Sequence, residues 1–157
     1  MKTASLSELK TELTSLKTPE VIALCMRLAK YKRENKELLT YLLFEANDEE
    51  GYVDGIKAEI DLGFEGMNRS NLYFVKKSLR KTLRIANKYI KYSGSKQTEV
   101  EILLYLCKKL RSAGVSIEKS PVIHNLYQRQ IQRIKKALST LHEDLQYDYK
   151  DDLEALG

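Results

Sequence analysis

The chain has 157 residues, 43% of them hydrophobic and 31% charged, with a formal net charge of +5. This length and composition are typical of one globular domain over residues 1–157 and exclude a disordered chain. Only seven Gly, two Pro and no Trp occur. Because helix breakers are so scarce, we expect an all-α fold of about seven helices.

The compartment is predicted from the cysteines and the apolar runs. Cys25 and Cys107 lie in the segments VIALCMRLA and ILLYLCKKL, where we expect small buried residues rather than a disulfide or a metal site. The N-terminal segment has charges throughout, unlike a signal peptide, and no run is long enough to span a membrane. We therefore expect a cytoplasmic protein with no membrane contact.

The first three helices are predicted from their start signals. Ser5 and Glu8 form a capping box that opens a helix to about Leu16. The segment Thr18-Pro19-Glu20 starts a second helix, which ends near residue 32, and a third spans about 34–46. A short join between the second and third helices predicts an αα-hairpin.

Residues 47–67 carry mixed signals. The segment IKAEIDLGFEGM alternates apolar and polar residues as a strand does, but Val53, Ile56, Ile60 and Phe64 also fit helical spacing. A lone strand would have no partner, so we predict a weak helix over about 50–62 followed by a loop.

Three longer helices follow. The fifth helix is predicted from Asn68 or Ser70 to about Tyr92, and the sixth from Thr98 to the region of Gly114. The last helix is predicted over about 121–147. Its apolar residues form a near-heptad seam of Tyr127, Ile131, Ile134, Leu138, Leu141 and Leu145. The acidic end, residues 143–157, is a candidate mobile segment.

Two segments, VIALCMRLA and LLYLCKKLR, align with their cysteines in register, each in the first helix of a predicted helix pair. In this respect the chain resembles HEAT-like and armadillo-like α-helical repeats. The resemblance covers about ten residues per copy and implies a short helical array. An irregular helical bundle fits the pattern equally well.

Charge is segregated along the chain. Between Gly66 and Thr98 there are nine basic residues and no acid, whereas residues 45–65 hold eight acids and one base. On a helical wheel, one face of the fifth helix collects Tyr73, Lys76, Lys77, Arg80, Lys81, Arg84, Lys88 and Lys91. Like-charged neighbours at i,i+4 destabilise a helix, so this face is a candidate binding surface for an acidic partner.

The partner could be nucleic acid, an acidic protein or the acidic segments of this chain. We expect a non-enzymatic binding module that uses the helix around residues 70–92. The alternative is a scaffold that self-associates through the last helix, 121–147. A third hypothesis is an enzyme of unidentified type. No catalytic residue, metal site or cofactor is predicted, and a monomer is favoured over a homodimer.

Overall fold

The structure is a computed structural model that describes all 157 residues, and it is 80% helical with no strand. This confirms the all-α class, with eight α-helices where about seven were expected. The helices are α1 Leu6–Ser15, α2 Thr18–Tyr31, α3 Arg33–Thr40, α4 Glu49–Glu65, α5 Leu72–Ser93, α6 Lys96–Ser112, α7 Pro121–Leu138 and α8 Glu143–Glu154. A π-helical turn, Tyr41–Glu45, follows α3, and a 3-10 turn, Ile117–Lys119, precedes α7. No helix combines the length and the apolar character that a bilayer crossing requires.

The chain divides into two compact units, Met1–Phe44 and Glu45–Gly157. In the first unit, α2 packs against α3, and only Ala29 and Tyr41 are buried. The predicted capping box is present, since Glu8 N–H donates to Ser5 Oγ at 3.3 Å and Glu8 Oε2 accepts from Ser5 N–H at 2.7 Å. The prediction that Cys25 is buried is wrong. Helix α2 packs extensively only on α3, which leaves much of its surface uncovered.

In the second unit α6 is the central helix and packs against α4, α5 and α7. Its apolar residues face all three neighbours, which is why they cover most of its circumference. Five leucines of α5 and α6 share one core: Leu79, Leu83, Leu103, Leu106 and Leu110. Cys107 is also in this core, and burial raises the pKa of its thiol to about 12.

Residues 49–65 form one continuous helix, α4, where the sequence predicted a weaker one ending in a loop near residue 62. The helical spacing was the correct interpretation, because Val53, Ile56, Ile60 and Phe64 are all buried. The Asp48 side chain caps the helix by accepting from Gly51 N–H at 3.0 Å. The helix continues through Gly63, which lies against Thr82 of α5.

The prediction of a single last helix over 121–147 is wrong. Helix α7 ends at Leu138, and α8 begins after His142, whose Nδ1 accepts from Asp144 N–H at 3.2 Å. The first four residues of the predicted seam, from Tyr127 to Leu138, are buried in the core of their own unit. The seam is therefore occupied by internal packing, and α8 docks as a separate helix, with Tyr149 Oη donating to Glu101 Oε1 at 2.7 Å.

Candidate cationic binding surface

The orientation of α5 follows from its caps and its buried stripe. Asn71 Oδ1 accepts from Phe74 N–H at 3.1 Å at the N-terminus, and Gly94, with φ of 67°, ends the helix by donating to Ile90 O at 3.0 Å. The left-handed conformation at this position suits glycine. The stripe that faces α4 and α6 is Val75, Leu79, Thr82, Leu83, Ala86 and Ile90. The opposite side of α5 therefore faces outward.

Seven of the eight residues of the predicted binding face lie on this outward side, and Lys76 lies at its edge beside the buried stripe. Tyr73, Lys77, Arg80, Lys81, Arg84 and Lys91 are exposed, and Lys76 and Lys88 are half-buried. The Lys88 ammonium lies 5.1 Å from the ring centre of Tyr89, within cation–π distance. Tyr73 is 64% exposed, so its ring is available to a ligand. From Lys76 to Lys91 the row is about 22 Å long at 1.5 Å per residue.

Six of the seven cations have no carboxylate within 4 Å: Lys76, Lys77, Arg80, Lys81, Arg84 and Lys91. Several acids of the second unit bond to groups outside this row. Asp61 pairs with Lys109 at 2.8 Å, and Lys108 pairs with Asp152 at 2.5 Å. Glu49 accepts from the hydroxyls of Ser93 and Thr98. The positive charge along most of α5 is therefore not balanced by a direct ion pair.

Helix α7 meets α5 at its flank, without extensive packing between the two helices. Arg133 Nη1 donates to Asn87 Oδ1 at 2.6 Å, and its Nη2 donates to Glu99 Oε1 of α6 at 2.9 Å. Burial raises the pKa of Glu99, but hydrogen bonds from Lys96 and Arg133 outweigh this effect and hold it below its ordinary value. Glu99 thus stays ionised at neutral pH and links α6 to α7.

Two further cations extend the surface. Leu126 of α7 shares a small cavity with Leu79 and Leu83 of α5. Asn87 meets Arg133 further along both helices, so α5 and α7 run in the same direction where they meet. Arg129 and Lys136 are exposed, and each lies three residues after a residue of α7 that meets α5, Leu126 and Arg133 respectively. Residues three apart are neighbours on a helix surface, so both cations lie on the side of α7 next to α5. We define the cationic surface as the eight residues of the predicted binding face on α5 together with Arg129 and Lys136.

The sequence could not place Arg129 and Lys136 at this surface. Residues 108–136 are rich in Lys and Arg, but nothing in the composition shows that α7 meets α5. The seven-residue spacing of Arg129 and Lys136 keeps both on one side of a helix. That spacing is the one signal that the two residues share a face, and it does not indicate which helix lies next to that face.

Little in the arrangement of the other side chains indicates a metal site or a catalytic site. No group of three or more His, Cys, Asp and Glu residues is arranged to hold a metal ion. The open cleft between α4 and α6 is lined by Glu49, Glu50, Asp54, Lys57 and Glu101. Of these, Glu101 accepts from Tyr149 Oη and Glu49 from Thr98 Oγ1, as structural bonds between helices. Comparison of the chain with protein-family models, curated proteins and solved structures finds no match.

Proposed function

We propose that this protein binds nucleic acid through the cationic surface, by contacts with phosphates that do not depend on base sequence. The observation that carries the proposal is the row of six cations on α5 that lack an acidic partner. Neighbouring like charges at i,i+4, such as Arg80 and Arg84, cost the helix a few tenths of a kcal/mol per pair. An anionic ligand would remove this repulsion on binding.

A phosphate chain fits the surface better than an acidic protein for two reasons. Cations recur every three or four residues along about 22 Å, and a nucleic acid offers charges at regular spacing over the same length. The exposed Tyr73 ring at the start of the row can stack on a base, which is a common contact in binding that tolerates any sequence. No helix-turn-helix or RNA-reading motif is present to provide base specificity.

Two finer expectations accompany the proposal. The two cysteine-containing segments that resemble HEAT-like repeats support a helical array, an architecture that presents extended binding surfaces. A cytoplasmic location, which the sequence predicts, would give access to nucleic acid. Both are proposals.

The experiment is a fluorescence-anisotropy titration of short DNA and RNA oligonucleotides with the full chain. If three or four cations contact phosphates at once, counterion release predicts a log–log salt slope of about −3 with duplex DNA. The affinity should then fall about 60-fold between 50 and 200 mM salt. Absence of binding at 50 mM salt would refute the proposal, and binding to polyglutamate alone would favour an acidic protein as the partner.

A double charge reversal tests the location of the site. Arg80→Glu with Arg84→Glu should abolish binding and leave the helix folded, because both side chains are exposed and point away from the buried stripe. The matched control is Lys119→Glu with Lys150→Glu, which changes the net charge equally at exposed positions outside the cationic surface. The control should retain most of the binding. Equal loss in both variants would mean that net charge, not this surface, attracts the ligand.

A further inference from the structure

Exposed apolar side chains are concentrated in the first unit. Of 19 large hydrophobic residues that are exposed in the whole chain, 14 lie among residues 1–44, and only two residues of this unit are buried. Isolated exposed apolar residues are ordinary, but a large contiguous patch marks an interaction surface. The question is what covers it.

Helix α1 carries the first part of this surface. Leu6, Leu9, Leu13 and Leu16 are spaced by 3, 4 and 3 residues, so they form one stripe of the kind that pairs helices. None of the ten residues of α1 is buried, and α1 has no extensive packing contact with any other helix. A helix of that length has marginal stability alone in water. It therefore needs an apolar partner for its stripe.

Helix α2 carries the second part. Residues 21–26, VIALCM, are six consecutive apolar residues, which at 100° per residue cover the whole circumference of the helix. A helix that is apolar all round is normally covered on several sides, yet α2 packs extensively only on α3. Ile22, Met26 and Leu28 remain 57%, 48% and 62% exposed.

We propose that the chain forms a symmetric homodimer in which α1 of each copy packs its leucine stripe on α2 of the other. Leu16 and Lys17 between the two helices are extended, with ψ of 155° and 153°, so α1 leads away from α2 of its own chain. A two-fold arrangement covers both apolar surfaces at once, since each copy supplies the helix that the other lacks.

Area and charge both favour a second copy. The exposed apolar side chains of α1 and α2, counting Ala23 and Cys25, number about ten, and their complete burial at about 60–80 Å² each would remove at most about 600–800 Å² per copy. A standard stable interface buries about 800 Å² per partner. Helix α1 holds two acids and one base, whereas α2 holds one acid and two bases, so the facing helices carry opposite net charge.

A membrane surface is a poorer fit for the same helices. Helices that lie on anionic membranes have polar faces rich in Lys and Arg. Here three acids, Glu8, Glu12 and Glu20, are interspersed with the four bases of residues 6–31, so the polar faces are mixed in sign rather than rich in Lys and Arg.

The oligomeric state of the full chain tests the proposal. Sedimentation equilibrium over about 1–100 µM should show a reversible monomer–dimer equilibrium. The native cysteines provide an independent probe, because Cys25 is exposed in the single chain and Cys107 is buried. Alkylation of Cys25 should slow about tenfold between the lowest and the highest concentration as the dimer fills, while Cys107 stays unreactive throughout. A monomer at 100 µM, with Cys25 equally reactive at all concentrations, would overturn the proposal.

Paired variants locate the interface. Leu9→Glu with Leu13→Glu should give a monomer, whereas Leu62→Glu, at a 61% exposed position of the second unit, should leave the dimer intact. Circular dichroism checks that each variant keeps its helical content. If the double variant unfolds, Ile22→Lys tests the same interface from α2. A dimer that survives both changes, or that Leu62→Glu abolishes, would show that the contact lies elsewhere and refute the proposal.

Discussion

Gly63→Ala is expected to destabilise the fold, although alanine is the better helix former. A Cβ atom at position 63 would lie 2.3 Å from Thr82 Oγ1 and 3.0 Å from Thr82 Cγ2. Thr82 is 4% exposed on the buried stripe of α5. Rotation about χ1 of Thr82 would not relieve the contact, because its Cβ atom also lies 3.2 Å from the new Cβ. The two helices must therefore separate locally.

The magnitude follows from two opposing effects. Alanine in place of glycine in a helix gains about 0.5–1 kcal/mol, while overpacking a buried contact costs about 1–3 kcal/mol. We therefore expect the free energy of unfolding to fall by about 1–2 kcal/mol. Gly55 of the same helix is the matched control, since a Cβ there has no atom within 4 Å. Gly55→Ala should raise the free energy of unfolding by about 0.5–1 kcal/mol.

Urea denaturation followed by circular dichroism measures both variants. Thr82→Ala completes a double-mutant cycle, because it removes Oγ1 and Cγ2, the two atoms closest to the new Cβ. In that background Gly63→Ala should become stabilising, with a coupling of about 1–3 kcal/mol. If Gly63→Ala proved as stable as Gly55→Ala, the close approach of α4 and α5 at this crossing would be refuted.

Two further predictions concern the core and the pH dependence of stability. Leu83→Ala should lower the free energy of unfolding by about 2–5 kcal/mol, while Leu62→Ala at an exposed position should change it by less than about 0.5 kcal/mol; a loss below about 1 kcal/mol at Leu83 would contradict its burial. Glu99 has a lowered pKa in the folded state, so it stabilises the fold above its ordinary value of 4.5 and loses this effect as the pH falls through the lower folded value. Glu99→Gln should therefore lower the free energy of unfolding by about 1–2 kcal/mol at pH 7. Urea denaturation should show that this loss becomes smaller below pH 4.5. An equal loss at pH 7 and below pH 4.5 would argue against the ion pair with Arg133.

The bodies of the helices in the second unit were predictable because their apolar residues must reach one core. The 3,4 spacing in α5 and α6 and the cap of Ser120 before Pro121 are local patterns with a direct physical cause. The cap is present, since Ser120 Oγ accepts from Ile123 N–H at 3.4 Å. The same reasoning identified the outward face of α5, since a helix with one buried stripe must turn its opposite face to solvent.

The features that the sequence could not predict are those that depend on which helices become neighbours. The heptad spacing from Tyr127 to Leu145 continues through a helix end, because the spacing of apolar residues does not register the turn at residues 139–142. Cys25 and Cys107 lie in similar apolar runs, yet one is exposed and the other is buried. The difference is that α6 has three neighbouring helices and α2 has one, which is a property of the tertiary structure.

The two proposals assign binding and assembly to different units of the chain. The cationic surface lies on α5 and α7, and the apolar surface lies on α1 and α2. A dimer carries two cationic surfaces, so a nucleic acid long enough to reach both would bind more tightly than a short one, through effective concentration rather than through new contacts. Short oligonucleotides would occupy one surface and would report on the cationic surface alone. Failure of the dimer would remove the length dependence and leave the salt slope, whereas failure of the cationic surface would remove both.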